Sequence, residues 1–283
     1  MDYRTKTFVM NNNSYLAKKF GDSLTQNVKL SNYSWFNLGG EAEFFFKPKD
    51  EKQLINFFAE IKKTNLKTTF IGAGSNTLFR DNGVKGVVIK LGKSFSNIKK
   101  IDDNVLEVGA AALDRKVADY AKDNNLCNFE FLSCIPGSIG GAIIMNSGCY
   151  NTDISKVILS IQAIDKKTCK VVNIKKEDIR FNYRGTNLSK DLIIISAKLQ
   201  GSHSQKEIIE KTQSILIKRK KLSQPSKIKT CGSTFKNISK NKKAWMLIKE
   251  AGCENFSEGG AKISEKHCNF FINNGNAKSS DIE

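Results

Sequence analysis

A short β-type run, Thr68 to Ile71, leads straight into Gly72-Ala73-Gly74-Ser75-Asn76, and the chain repeats the device further on with Pro136-Gly137-Ser138-Ile139-Gly140-Gly141-Ala142. A strand that ends in backbone almost bare of side chains demands a tight turn or a close neighbour, because glycine takes φ > 0 with no Cβ in the way. Consecutive N–H groups in such a loop converge and can receive an anion such as pyrophosphate, although a structural turn explains the first cluster equally well. A dinucleotide fingerprint would require glycine at position 77, which is Thr77, and no helix with an acidic residue at the expected distance follows directly. A Walker A sequence is absent, which argues against a nucleoside triphosphatase of that type. Ser138 resembles a nucleophile elbow until Pro136, where that motif needs glycine, and the only histidines are His203, in a polar linker, and His267. The two turns therefore read best together, as two backbone cradles for one long phosphate-bearing ligand.

Around them the periodicity gives an α+β pattern with local βαβ character. Phe44 to Lys47 reads as a strand and Asp50 to Lys63 as a helix, with Leu54, Phe57, Phe58 and Ile61 on one face and Asp50 as N-cap. Strands follow at Val87–Leu91 and Val105–Val108, then a helix carrying Leu113, Val117 and Tyr120. After the second glycine turn come strands at Val157–Ile164, Lys170–Ile174 and Leu192–Leu199. Ser204-x-x-Glu207 is a capping box that opens a helix to Lys221, with Ile208, Ile209, Ile215 and Leu216 as its apolar face. Beyond it lie a turn at Cys231–Phe235, a helix near Ala244–Ala251 with Gly252 as its C′ cap, and a strand at Asn269–Ile272. Ser280-x-x-Glu283 is a second capping box, at the last residues, and reads either as a frayed tail or as the start of a helix that the chain is cut short of.

Among the 283 residues no apolar run approaches the roughly 20 needed to cross a bilayer, so a soluble cytoplasmic protein is expected. Seven scattered cysteines without a C-x-x-C pair signal neither a disulfide framework nor a zinc site. The net charge of +18 raises nucleic acid as a partner. The lysines are spread along the chain, however, which favours a generally basic surface that also attracts small polyanions.

Seven motifs then occur in a fixed order: Ser34-Trp35-x-x-Leu38-Gly39-Gly40; Gly72-x-Gly74-Ser75-Asn76-x-Leu78; Pro136-Gly137-x-x-Gly140-Gly141-Ala142 with Asn146; Phe181-x-Tyr183-Arg184; Gln224-Pro225; Gly232-Ser233-x-Phe235-Lys236-Asn237; and Gly259-Gly260-Ala261 through Glu265-Lys266-His267. In this order they resemble the UDP-N-acetylenolpyruvoylglucosamine reductases, flavoenzymes that make UDP-N-acetylmuramate for peptidoglycan. The resemblance implies an α+β fold, with a two-lobed FAD-binding domain of the vanillyl-alcohol-oxidase (PCMH) type and a C-terminal α+β substrate-binding domain. Expected boundaries are a leader at 1–26, FAD lobes at 27–86 and 87–203, and a substrate domain at 204–283.

The resemblance further implies that FAD is held non-covalently by Gly72, Ala73, Gly74, Ser75, Asn76, Pro136, Gly137, Ser138, Gly140, Gly141, Ala142 and Asn146, since no histidine stands in these loops to attach it. NADPH is the implied reductant and UDP-N-acetylglucosamine enolpyruvate the implied substrate, with no metal, nucleic acid or membrane involved and a monomer expected. Arg184 would hold the charge that delocalises onto the substrate carboxylate, a task suited to a planar donor fork. Ser233 would be the acid that protonates the adjacent carbon. Tyr183, Arg219, Lys220, Lys236 and Asn237 are expected substrate contacts, with Lys220 standing where the family usually has arginine. Cys231 has no evident base or helix N-terminus to activate it as a nucleophile. The family also carries a catalytic Glu beyond a final helix, where this sequence stops. The alternative is therefore an impaired flavin-binding remnant that lacks that Glu.

Overall fold

The computed structural model describes residues 15–239 and 241–283. In the first lobe β1 (Leu24–Lys29), β2 (Glu41–Phe46), β3 (Thr68–Ile71) and β4 (Val84–Lys90) form a sheet of order β1-β2-β4-β3. The strands β2, β4 and β3 run parallel, and β1 is antiparallel to β2. Helix α1 (Glu51–Ile61) begins where expected, with the Asp50 carboxylate accepting the Gln53 N–H at 2.7 Å. Its spacing of about 3.6 residues per turn puts Leu54, Phe57, Phe58 and Ile61 on one buried stripe against Phe44, Phe46, Val87 and Ile89. Phe57 stacks on Phe46 with ring centroids 4.0 Å apart.

The expected leader is corrected in part. Residues 15–20 are helical, and Leu16, Phe20 and Leu24 are buried in the same core. Lys19 Nζ donates to the Glu60 carboxylate at 2.7 Å, joining this segment to α1. The three apolar residues lie one turn apart among polar ones, too sparse to stand out as a pattern. The rest of the leader, residues 1–14, lies outside the described residues. The expected boundaries at residues 27 and 87 also fall inside β1 and β4, so the first lobe runs to Lys90.

The second lobe is an antiparallel sheet of β5 (Ile98–Asp102), β6 (Val105–Gly109), β7 (Ile158–Asp165), β8 (Lys170–Lys175) and β9 (Leu192–Gln200) in the order β8-β7-β9-β6-β5. Helices α2 (Asp114–Asp123) and α3 (Ile139–Ile144) pack Val117, Ala118, Ala121, Ile139 and Ile143 against Leu106, Val108, Ile161 and Leu199. Leu113, expected within the helix, is its exposed N-cap. Ile164, Ile193 and Ile195 of this sheet join the core of the first lobe, so the two lobes share buried surface.

Helix α4 (Lys206–Ser223) has Gln205 as its N-cap, and no side chain closes its first turn, so the expected Ser204–Glu207 box does not form. Of its expected apolar face only Ile209 is buried, whereas Ile208 and Ile215 are exposed. The helix packs on the second lobe, where Gln213 Nε2 donates to the Ala118 carbonyl at 3.1 Å. Beyond it α5 (Ala244–Glu250) ends as expected at Gly252, whose N–H donates to the Lys249 carbonyl at 2.9 Å. It covers a small sheet of β10 (Ser257–Glu258), β11 (Ala261–Ser264) and β12 (His267–Asn273).

The last helix, α6 (Ser279–Ile282), starts at Lys278 rather than Ser280. Its box is completed by Asp281, whose carboxylate accepts the Lys278 N–H at 3.0 Å and the Gly260 N–H at 2.9 Å. Ser279 is buried on the first lobe, where its N–H and Oγ–H donate to the Asp81 carboxylate at 2.9 and 2.8 Å.

Candidate active site

Both glycine turns open on one cleft of about 2780 Å³ between the lobes and the C-terminal segment. The first turn leaves the C-terminal end of β3, and the second forms the entry to α3. Gly72 and Ser138 are so close that a Cβ on the glycine would stand 2.8 Å from the serine Oγ, so the two turns make one continuous surface. All twelve residues expected at the cofactor line this cleft: Gly72 to Asn76, Pro136 to Ser138, Gly140 to Ala142, and Asn146.

The first turn is held from behind. Trp35 N–H donates to the Gly74 carbonyl at 3.0 Å, and the buried Cys231 thiol lies 3.7 Å from the same oxygen and 3.3 Å from that of Thr77. Gly74 has φ +71°, and a Cβ there would fall 1.8 Å from the Tyr33 carbonyl oxygen. Burial pushes the Cys231 thiol up, which leaves it a packing group rather than a nucleophile. Within the described residues no protein acceptor takes the N–H groups of Ala73, Gly74, Ser75 and Asn76. In the second turn Ile139 and Gly140 direct theirs to the Ala112 and Ala110 carbonyls at 3.0 and 2.9 Å, leaving the first turn as the richer donor surface.

Charge follows the same logic. Eight lysines and Arg184 line the cleft, against Asp153 as its one carboxylate. Lys90, at the end of β4, sends its ammonium to the Gly72 carbonyl, and burial lowers its pKa. Beneath the second turn Asp114 is fully buried with no partner for either oxygen, and desolvation raises its pKa to about 8. Its Oδ2 would lie 2.5 Å from a Cβ at Gly137. Held neutral near pH 7, it adds no negative charge under a seat for a phosphate-bearing group. Free donors, cationic walls and a neutralised carboxyl together fit the pyrophosphate of a dinucleotide cofactor.

Arg184 and Ser233 reach the same cleft from two different elements. Arg184 sits at the tip of a hairpin in which Phe181–Asn182 pairs with Gly185–Thr186, and it holds a left-handed backbone, φ +55°. Such a conformation costs a non-glycine residue free energy, and its neighbours retain it here. Asn146 Nδ2 donates to the Asn182 carbonyl at 3.3 Å, Lys236 Nζ to that of Arg184 at 3.4 Å, and Asn237 N–H to the Tyr183 hydroxyl at 3.2 Å. The Arg184 guanidinium donates through Nη1 to the Ser233 carbonyl at 3.3 Å. Ser233 itself bridges to Phe270 of β12, and the segment after it is clamped by Asn269. The Asn269 Oδ1 accepts from Phe235 N–H at 2.9 Å and its Nδ2 donates to the Phe235 carbonyl at 3.0 Å.

The remaining expected contacts divide. Tyr183 and Lys220 line the cleft, and Lys220 Nζ donates to the Cys134 carbonyl. Arg219, Lys236 and Asn237 do not line it. The Arg219 guanidinium lies over the Tyr150 ring, 4.6 Å from its centroid, and Asn237 Oδ1 accepts the Ala244 N–H at 3.0 Å at the head of α5. They support neighbours of the cleft, because each has its head group engaged elsewhere. Sequence reasoning missed Lys90, Asn269 and Asp114; a lone lysine closing the run Val87-Val88-Ile89 and a lone asparagine inside a strand were the available signals.

Neither histidine lines the cleft: His203 Nε2 meets Asp103 at 2.9 Å on the surface, and the His267 ring, its pKa lowered by burial, accepts the Asn269 N–H at 3.2 Å. Among the described residues no group of three or more His, Cys, Asp or Glu is placed to hold a metal, and no helix is long and apolar enough to cross a membrane.

Residues 42–175 match the model of an FAD binding domain, and residues 224–283 match that of the UDP-N-acetylenolpyruvoylglucosamine reductase C-terminal domain. The reductase of Pelagibacter ubique (strain HTCC1062) is 44% identical over 271 residues, which cover 94% of this chain and 89% of the relative. That of Orientia tsutsugamushi (strain Ikeda) is 44% identical over 269 residues, covering 94% and 88%. The crystal structure of UDP-N-acetylenolpyruvylglucosamine reductase from Thermus caldophilus superposes with a TM-score of 0.79 at 27% identity, covering 92% of this chain and 90% of that one. With two family models in the expected order and relatives this similar over nearly their whole length, the chain belongs to the UDP-N-acetylenolpyruvoylglucosamine reductase family.

Proposed function

We propose that the chain reduces UDP-N-acetylglucosamine enolpyruvate to UDP-N-acetylmuramate at the expense of NADPH, a step of peptidoglycan precursor synthesis. The observation that carries the reading is the meeting of Arg184 and Ser233, 3.3 Å apart through Nη1 and the serine carbonyl, in the cleft that the glycine cradle also lines. FAD, when bound, supplies the hydride chemistry and is itself reduced by NADPH.

The protein's own groups do the rest. Ala73 to Asn76 hold the cofactor through backbone donors, Gly72, Pro136 to Ser138, Gly140 to Ala142 and Asn146 shape the seat around it, and the lysine-lined walls favour both the cofactor and a nucleotide-sugar substrate. Arg184 stabilises negative charge at the substrate carboxylate as it develops, an interaction of greatest value where water is excluded. The Ser233 hydroxyl delivers a proton to the neighbouring carbon. A free serine is a weak acid, so the cationic surroundings must stabilise the alkoxide that it leaves. Tyr183 and Lys220 orient the substrate, while Arg219, Lys236 and Asn237 fix the elements that carry these groups. The reading places the enzyme in the cytoplasm as a monomer acting on small molecules, without nucleic acid or membrane. The FAD seat then lies in the two lobes, and the segment after α4 closes on the substrate side.

The test is anaerobic: protein loaded with FAD is reduced with NADPH, UDP-N-acetylglucosamine enolpyruvate is added, and flavin absorbance is followed. Rapid return of the oxidised spectrum with formation of UDP-N-acetylmuramate is expected. Flavin that binds, is reduced, and then stays reduced in the presence of substrate would overturn the proposal.

A further inference from the structure

Of the cysteines, five are spent on backbone or packing contacts. Cys127 Sγ donates to the Ser202 carbonyl, Cys169 to Lys166, Cys253 to Ala251 and Cys268 to Trp245, while Cys231 packs behind the first glycine turn. Cys134 and Cys149 differ, because they sit on two elements packed together at the cleft. Cys134 ends the 3-10 turn Glu130–Cys134 just before the second glycine turn, and Cys149 lies in a hairpin strand, Gly148–Cys149, packed against that 3-10 turn. Both line the cleft, and Phe131 and Cys134 stand one 3-10 turn apart on the same face. The Cys149 sulfur also lies 3.4 Å from the Phe131 carbonyl. Lys220 completes the cluster: its ammonium donates to the Cys134 carbonyl and acts electrostatically on both sulfurs. The Cys149 side chain, and after it the Lys220 charge, lower the Cys134 thiol from its ordinary range, whereas the Cys134 side chain first and burial second push the Cys149 thiol up.

We propose that Cys134 and Cys149 form a reversible dithiol–disulfide pair in the cleft wall, oxidised by a two-electron oxidant of the hydroperoxide class. The Cys134 thiolate attacks one peroxide oxygen. The O–O bond breaks, hydroxide leaves and takes a proton to become water, and Cys134 becomes a sulfenic acid. The Cys149 sulfur, giving up its proton, attacks that sulfur; an S–S bond forms and a second water departs. In total two thiols and one hydrogen peroxide become one disulfide and two waters. The dithiol is oxidised by two electrons and the peroxide reduced by two. The pair is free in the reduced protein, as a cytosolic redox-sensing dithiol would be.

The consequence is local. The hairpin turns through Tyr150 and Asn151, both with positive φ, and Arg219 stacks on Tyr150. A disulfide would staple this hairpin to the entry of the cofactor turn. Oxidation therefore slows turnover, and reduction restores it.

The experiment uses the FAD-loaded protein treated with hydrogen peroxide, with thiols counted before and after and again after dithiothreitol. Cleavage at Met145 separates Cys134 from Cys149. The expected result is loss of two thiols, and two fragments joined until reduction. The join is kept in Cys127→Ser and lost in Cys134→Ser and in Cys149→Ser. In Cys149→Ser the sulfenic acid at Cys134 accumulates and is trapped by dimedone. Substrate turnover by the parent falls with the join and recovers with it. The proposal is overturned if the fragments separate without reductant although other thiols have been oxidised, or if Cys134 proceeds to sulfinic acid with Cys149 present. The two overturning outcomes are both read on the parent chain, so they stand even where a variant fails to fold.

Discussion

Arg184 and Ser233 are positioned very differently, which makes their substitution informative. The arginine is held by a strained hairpin tip and the serine by the Asn269 clamp, and neither forms the glycine cradle. Ser233→Ala and Arg184→Lys are each expected to lower kcat roughly 10²-fold or more while the purified protein keeps its full flavin content; stopped-flow traces of flavin reoxidation read this directly. Asp114 makes a prediction in pH. Burial raises its pKa from an ordinary 3.8 to about 8, so between those values the folded chain holds a proton that the unfolded chain has lost. The stability due to this group is fully present below about pH 4 and is lost as pH rises through 8. Asp114→Asn should therefore melt above the parent at pH 8.5, with the gap narrowing toward pH 5; parallel melting curves across that range would refute the assignment. The two catalytic candidates were legible because their motifs are local. Asp114, Lys90 and Asn269 were not, because their roles come from what packs over them and not from their own neighbours in sequence.

At the scale of elements, legibility followed the strength of the local pattern. Thr68–Ile71 was read to the residue, and the apolar stripe of α1 fixed both its face and its N-cap. Of the strands that escaped, β1, with Thr25, Gln26 and Asn27, and β5, with Lys99 and Lys100, are polar strands at sheet edges whose pairing, and not their apolar content, makes them strands. The hairpin tips at Tyr150-Asn151 and Tyr183-Arg184 escaped too, since neither carries the glycine that usually marks a tight turn. The first glycine turn shows the opposite case, a signal whose physical basis is now specific. Gly74→Ala would require a left-handed residue and drive a Cβ to 1.8 Å from the Tyr33 carbonyl. It is expected to shift the turn and cost most of the FAD affinity, measured by flavin retained through gel filtration, while the helical content seen by circular dichroism stays near that of the parent.

For the whole molecule, the decisive contacts tie the end of the described chain to its beginning. Ser279 seats on Asp81, Arg80 pairs with Glu283 at 2.8 Å, and Asn273 Nδ2 donates to the Phe36 carbonyl at 2.8 Å. Asp81→Ala removes the acceptor for Ser279 and is expected to destabilise the fold by about 1–2 kcal/mol, with amide exchange in residues 276–283 accelerating before that in the two sheets. Uniform acceleration throughout would contradict this division. No window of sequence revealed the docking, because partners 198 and 237 positions apart leave no periodic trace. The same closure sets an order in time. The turn built around Gly74 is backed by Cys231, and the residues around Phe36 that adjoin it wait for Asn273. At about 5–20 residues per second, a ribosome needs roughly 10–40 s to add the 197 residues that separate Ser34 from Cys231. Through that interval the nascent first lobe holds an unbacked loop, so the flavin seat reaches its final form, and captures the prosthetic group, only after Cys231 has been added.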